Sequence, residues 1–153
     1  MGKLCFELLF NKNAEMKTFT TSREIPASKE IIFAAFKNPE KLAKCWGPAG
    51  FTNTFSQFEF RKGGKWVFVM HGPDGKNYPN ESVFEEIIPD EKIVIRHIVQ
   101  PIFTLTVRIS ETENGSVMHW EQEFDNEEIA KNVAHIVIPS NEQNLDRLTV
   151  VVC

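Results

Sequence analysis

The sequence predicts an α+β fold: a curved antiparallel sheet of about six to seven strands wrapped around a C-terminal helix, with an apolar pocket between them. Three observations carry this reading. Stretches rich in β-branched and aromatic residues recur through the middle of the chain, separated by short turn signals. Several of them alternate apolar and polar residues with the period of two that a half-buried strand requires. After Phe124 the apolar spacing changes to that of an amphipathic helix.

Residues 16–24 are β-branched and aromatic and read as the first strand, which Pro26 stops. In residues 27–36, Ile32, Phe33 and Phe36 fall at i, i+1 and i+4, the stripe of a short helix. Asn38 and Pro39 interrupt it. Pro39 suits the first turn of a second short helix, whose stripe of Leu42, Ala43 and Trp46 runs up to Gly47 and Pro48. Strands are then expected over 52–61, 65–71, 80–88, 92–99, 102–112 and 116–124. Gly63-Gly64, Pro73-Asp74-Gly75, Pro89-Asp90-Glu91, Pro101 and Asn114-Gly115 punctuate them. Connections this short imply antiparallel neighbours, because a parallel crossover needs a dozen or more residues.

Asp125 to Glu128 supply an N-cap and an acidic first turn, and Ile129, Val133, Ile136 and Val137 form a helical stripe. Pro139 is expected to break or kink that helix. Ser140, Asn141, Glu142 and Gln143 repeat the capping-box pattern ahead of Leu145, Leu148 and Val152. Residues 140–152 are therefore the expected main gripping helix.

Composition narrows the function classes. At 153 residues with 42% hydrophobic and 25% charged content, the chain can build a core and is not expected to be disordered. A net charge of −4 argues against general nucleic-acid binding, which needs a concentrated cationic face. No apolar run approaches the roughly 20 residues that cross a bilayer. Glu7 interrupts the apolar start and no small-residue cleavage site follows it, so a secretory signal is not expected. Phe6 stands where a myristoylation signal wants Ser or Thr. Cys5, Cys45 and Cys153 are odd in number and widely spaced, which suits reduced thiols and a cytoplasmic location.

Strand parity sorts the side chains. Trp66, Phe68 and Met70 share one face, as do Phe103, Leu105 and Val107; Met118, Trp120, Gln122 and Phe124 share another strand's inner face, opposite His119, Glu121 and Glu123. With 13 Phe and one Tyr, the interior is aromatic and short of hydroxyl groups. A dry cavity of about 300 Å³ would forfeit on the order of 7 kcal/mol, rivalling the stability of a domain. A ligand, ordered water or inward-folded rings are therefore expected in it.

Motifs for chemistry are sparse. His71, His97, His119 and His135 form no metal-ligand pair, and the cysteines lack zinc spacing, so neither a metal nor a cofactor is expected. No nucleophile motif or phosphate-cradling loop occurs. Glu85 and Glu86 should face opposite ways on a strand, while Glu127 and Glu128 begin a helix; neither pair makes a catalytic dyad. The inward polar candidates are His97, which shares parity with Ile93 and Ile95, and Gln122. A core histidine with its bonds satisfied is the favoured reading of the first, and a bond to a buried backbone group that of the second. No catalytic residue is assigned.

Several segments together resemble the SRPBCC (START-like) superfamily, and within it homologues of the activator of the heat-shock-protein-90 ATPase. They are Arg23-Glu24-Ile25-Pro26-Ala27; Asn38-Pro39-Glu40-Lys41-Leu42 with Trp46-Gly47-Pro48; Phe58-Glu59-Phe60-Arg61-Lys62-Gly63-Gly64-Lys65-Trp66; His71-Gly72-Pro73-Asp74-Gly75; Phe84-Glu85-Glu86-Ile87-Ile88-Pro89; and Asn141-Glu142-Gln143-Asn144-Leu145-Asp146-Arg147-Leu148. The resemblance spans residues 16–152 and implies a helix-grip fold with its pocket between sheet and C-terminal helix. Relatives with this fold bind lipids, act as cyclases or hydrolases, or stimulate a chaperone ATPase.

The expected organisation is an N-terminal extension over 1–15, too short for the second domain of the eukaryotic activator, and one helix-grip domain over 16–153. The pocket is expected to be lined by Trp46 at its mouth, by Trp66, Phe68 and Met70 of one strand, and by Phe84, His97 and Phe103 of the next three. Trp120, Gln122 and Phe124 of the last strand and Leu145 and Leu148 of the helix complete the set. The leading expectation is a non-catalytic domain that binds a small apolar molecule. The alternatives are a module that contacts a chaperone and a cyclase- or hydrolase-like enzyme using His97 or Gln122. Antiparallel sheet edges and the apolar extension suggest a homodimer.

Overall fold

A computed structural model describes residues 17–153; the extension expected over 1–15 lies outside the described residues. Strand β1 (Thr18–Ile25) is followed by helices α1 (Lys29–Lys37) and α2 (Pro39–Cys45). Strands β2 (Thr52–Phe58), β3 (Lys65–His71), β4 (Asn77–Ile88), β5 (Lys92–His97), β6 (Phe103–Thr112) and β7 (Gly115–Phe124) come next, and helix α3 (Glu127–Val152) ends the chain. The strands form one curved sheet in the order β1-β7-β6-β5-β4-β3-β2, with every pairing antiparallel. Strands β2 to β7 are thus a meander joined by short turns. Only the step from β1 to β2 must cross from one sheet edge to the other, and α1 and α2 fill that crossing.

Local chemistry sets the helix ends. The Ser28 hydroxyl accepts from Ile31 N–H at 3.3 Å to open α1. Asn38 closes α1 through its backbone N–H and opens α2 through its side chain, which accepts from Glu40 and Lys41 N–H at 3.0 and 3.2 Å. Pro39 takes the first turn of α2, where no N–H is needed. Asn126 caps α3 by accepting from Ile129 N–H at 2.9 Å.

Strand β5 ends at His97, two residues before its expected bound, and the larger departures are those of β2 and β4. Strand β2 ends at Phe58 rather than Arg61, because 59–64 make the turn. There Gly63 has φ +79°, and a side chain on Gly64 would run into the Glu59 carbonyl. Strand β4 begins at Asn77 and includes Pro79. Residues 77–80 pair with β3 alone, so the missing Pro79 N–H breaks no ladder to β5.

Two β-bulges interrupt the alternation. The register shifts between Phe55 and Gln57, which lets Phe55 and Phe58 both pack on the core, three residues apart. A second shift lies between Phe84 and Glu86. The expectation that Glu85 and Glu86 face opposite ways rested on unbroken alternation. Instead Glu85 is exposed, Glu86 bonds Lys92 at 3.1 Å, and Ile87 packs against the core.

Helix α3 corrects a further expectation: it runs unbroken from Glu127 to Val152, with Pro139 inside. Ser140 opens no second helix. Pro139 removes one backbone bond, while the Asn126 cap and the burial of Leu145 and Leu148 anchor the helix on either side of it. The buried residues of α3 are Ala130, Asn144, Leu145 and Leu148, so the half after Pro139 does most of the gripping, as expected. The core joins Ile32, Phe36 and Leu42 of the short helices to Ile93, Val107 and Met118 of the sheet. Among the described residues, no helix is long and apolar enough to cross a membrane.

Candidate functional site

Between the inner sheet face, the 46–48 loop and residues 140–144 of α3 lies a hollow of about 230 Å³. Its apolar wall comes from Trp46, Trp66, Phe68, Met70, Phe103 and Trp120, with Ile95 and Leu105 behind them. The chain has three tryptophans and all three line it. Trp46 packs edge-on against Trp66 at 5.0 Å and tilted against Trp120 at 5.7 Å. These rings narrow the space below the 300 Å³ or more usual for drug-sized ligands.

Eight of the twelve residues expected to line a pocket meet here: the six aromatic and methionine side chains just named, His97 and Gln122. The other four do not. Phe84 is buried among Phe58, Phe60 and Trp66 at the far end of the sheet. Phe124 packs edge-on against Phe19 at 5.9 Å. Leu145 and Leu148 are fully buried in the core, on the part of the α3 face already filled by the sheet and short helices. Parity identified the correct sheet face for Phe84 and Phe124, but position along each strand decides whether a side chain meets space or a neighbour.

The polar wall has two clusters. On the sheet side, His97 Nδ1 lies 2.7 Å from the Pro101 carbonyl and Nε2 lies 2.8 Å from the Asn80 carboxamide oxygen. The ring stacks on Phe103 at 4.5 Å. Two oxygens would favour an imidazolium, whereas burial holds the His97 pKa below its ordinary value. A neutral ring donates from Nδ1 to Pro101 and needs the Asn80 amide turned to present Nδ2. On the helix side, Asn141 Nδ2 donates to Gln122 Oε1 at 3.1 Å. The partner of Gln122 is thus a side chain of α3 and not the backbone group expected.

Among the residues that line the hollow, Trp66 Nε1, Trp120 Nε1 and Asn144 Nδ2 are buried without a hydrogen-bond partner. Each such orphan costs about 1–3 kcal/mol as a general magnitude. All three are donors, and all belong to residues lining the hollow.

The segment 141–148 explains how the mouth is held. Arg147 Nη1 donates to the carbonyls of Trp46, Gly47 and Pro48 at 3.0, 3.1 and 2.9 Å, and Nη2 to those of Lys44 and Phe51 at 2.7 and 2.8 Å. Asn144 accepts from Gly47 N–H, and Gln143 accepts from Ala49 N–H at 3.1 Å. Glu142 and Asp146 bind Arg23 of β1 at 2.9 and 2.6 Å, and Thr21 donates to Glu142. Burial pulls the Arg147 pKa down. Asn80, Ser82, Asn144 and Arg147 were not singled out from the sequence. For Asn144 and Arg147 the signal was the dense polar pattern of 141–148, whose partners lie about a hundred residues away; for Asn80 and Ser82 it was their shared parity with Phe84 on β4.

Other features offer less. A wider hollow of about 450 Å³ lies against outward-facing side chains such as Thr20, Ser22, Thr106, Arg108 and Glu121. Cys45 is fully buried, and burial pushes its thiol up to about 11, far from nucleophilic use. No cluster of metal-ligating side chains occurs among the described residues.

Residues 26–152 match the family model described as Activator of Hsp90 ATPase homolog 1-like protein. No curated protein matches the chain. A Nitrosomonas europaea protein superposes with a TM-score of 0.80 at 17% identity, covering 90% of this chain and 95% of its own. A protein from Arthrobacter aurescens gives 0.81 at 23% identity, with coverages of 90% and 87%. The AHSA1-like protein from Aeromonas hydrophila gives 0.71 at 16% identity, with coverages of 88% and 91%. These similarities establish the helix-grip fold.

Proposed function

The chain belongs to the Activator of Hsp90 ATPase homolog 1-like family, and from that premise we propose that it binds a small, largely apolar molecule between its sheet and α3, without chemistry of its own. One observation carries the reading: a 230 Å³ hollow walled by three tryptophans persists inside a chain with 13 phenylalanines to fill it. An apolar occupant that displaces water from those rings and binds the folded state adds to its stability. A single domain over 16–153 and a cytoplasmic location belong to the same proposal.

The test is native mass spectrometry after gentle purification, followed by thermal shift and tryptophan fluorescence against neutral and charged aromatic and terpenoid compounds. A retained mass, or a rise in Tm with a change in tryptophan emission, is the expected result. A chain without ligand mass or response, which instead accelerates a heat-shock-protein-90 type ATPase, would move the function to a protein partner.

A further inference from the structure

We infer that the molecule bound in this pocket is uncharged and presents a hydrogen-bond acceptor, such as an amide, ketone, ester or lactone oxygen, to the tryptophan-lined wall. The inference rests on the ligand-binding reading above and narrows it to a chemical class.

A quarter of the chain's residues are Asp, Glu, Lys or Arg, yet none of these lines the hollow. On the strands the neighbouring charges Lys65, Glu81, Arg96 and Glu121 alternate with the inward lining residues, and the charges of α3 close to the hollow are engaged elsewhere. Arg147 gives its guanidinium to five backbone carbonyls between Lys44 and Phe51, and Glu142 is held by Thr21 and Arg23 on β1. A carboxylate or ammonium ligand would therefore leave water without a counter-ion, the costly way to bury a charge. Three tryptophans could suggest an aromatic cage for a cation. Here, however, Trp46 lies against both other rings, at 5.0 and 5.7 Å, so the rings border the hollow but leave no room for a cation between their own faces.

The polar groups define the complement. Ser82, Asn80, Gln122, Asn141 and Asn144 are uncharged donors and acceptors. The one titratable lining group, His97, sits between the Pro101 carbonyl and Asn80 with Phe103 stacked on its face. Among the lining residues, every buried polar atom without a partner is an N–H donor: Trp66 Nε1, Trp120 Nε1 and Asn144 Nδ2. These donors are enclosed in the wall and not open to the hollow, so a water or ligand oxygen pairs with one only when an indole or amide turns toward the space, the arrangement that a bound neutral acceptor stabilises.

The three tryptophans make the test direct, because each indole N–H gives its own NMR signal and all three report on the pocket. The full chain is titrated at about pH 8 with phenyl- and naphthyl-acetamide, the matching acetates and the matching ethylamines. The amides are expected to bind about tenfold or more tightly than either charged partner, with a downfield shift of the Trp66 or Trp120 indole proton. An acetate or ethylamine that binds as well as its amide overturns the inference and leaves the pocket reading intact. No response from any compound at millimolar concentration overturns both. The near-isosteric Gln122→Glu keeps the wall's shape and adds a carboxylate. It should move the preference toward the ethylamines, and an unchanged preference would show that charge is not what the pocket selects.

Discussion

The two ends of the inner sheet face are built from the same residue type and packed differently. At one end Phe55, Phe58, Phe60 and Phe84 meet Trp66 and each other at 5.2–6.0 Å, and Phe33 of α1 closes on Phe60 at 5.5 Å. That end is filled. At the other end Phe103 and Trp120 alternate with Asn80, Ser82, His97 and Gln122, and the hollow remains. Rings interdigitate to near-crystal density, whereas inward polar groups must hold fixed partners and cannot shift to close a gap. The bulge after Phe55 sharpens the contrast by bringing Phe55 and Phe58 onto one face. An abundance of phenylalanine therefore says little about empty space, while its interruption by polar side chains says more.

Truncation at the filled end should have the largest effect. Phe84→Ala is expected to cost about 3–5 kcal/mol in urea denaturation, with ligand response retained wherever the chain still folds. A loss below about 1 kcal/mol would mean that this end is not tightly packed. Arg147→Met follows, at about 3 kcal/mol, because five carbonyls between Lys44 and Phe51 lose a charged donor. Amide exchange at Gly47 and Ala49 should accelerate in that variant. Lysine should not rescue it, since an ammonium lacks the planar fork. At the pocket end the half-buried Phe103→Ala should cost only about 1–2 kcal/mol yet weaken ligand binding, the reverse of the Phe84 pattern.

Acidification separates the ends in another way. Burial holds the His97 pKa below 6.5 in the folded state, so the unfolded chain binds the proton more readily. The contribution of a neutral His97 is present above about pH 6.5 and is lost as pH falls below it toward the folded value. Tm should therefore begin to drop in that window, and His97→Gln should flatten the drop. The carboxylates act later. Asp125, held down by its hydrogen bonds to Arg96, and Glu142, held down by Thr21 and then Arg23, lose their contribution only below the ordinary carboxylate range. The smallest effect expected is Arg23→Ala, at about 1 kcal/mol or less, because its partners Glu142 and Asp146 are substantially exposed.

The fold was legible to the level of element order. Strand alternation, turn signals and cap residues are local, and Asn126 and Gly63 act where the sequence places them, while Ser28 and Asn38 cap the two short helices that the apolar stripes located. Parity also turned Trp66, Phe68, Trp120 and Gln122 to the inner face and identified His97 as a bonded, buried histidine. Two bulges were not legible, because an extra residue is recognised only against the partner strand it fails to match. Nor was the continuity of α3 through Pro139, since one lost backbone bond is weighed against packing the local pattern does not contain.

By itself, then, the sequence determined the elements, the faces they bury and the dense polar segment 141–148, all consequences of short-range periodicity and backbone chemistry. Tertiary structure decided which aromatic rings fill and which only surround. It also decided that Arg147 holds a loop a hundred residues away and that charge is kept off the pocket wall. The physical reason is that a side chain's direction follows from its own strand or helix, but whether it meets a neighbour, a partner or open space depends on residues that only folding brings beside it.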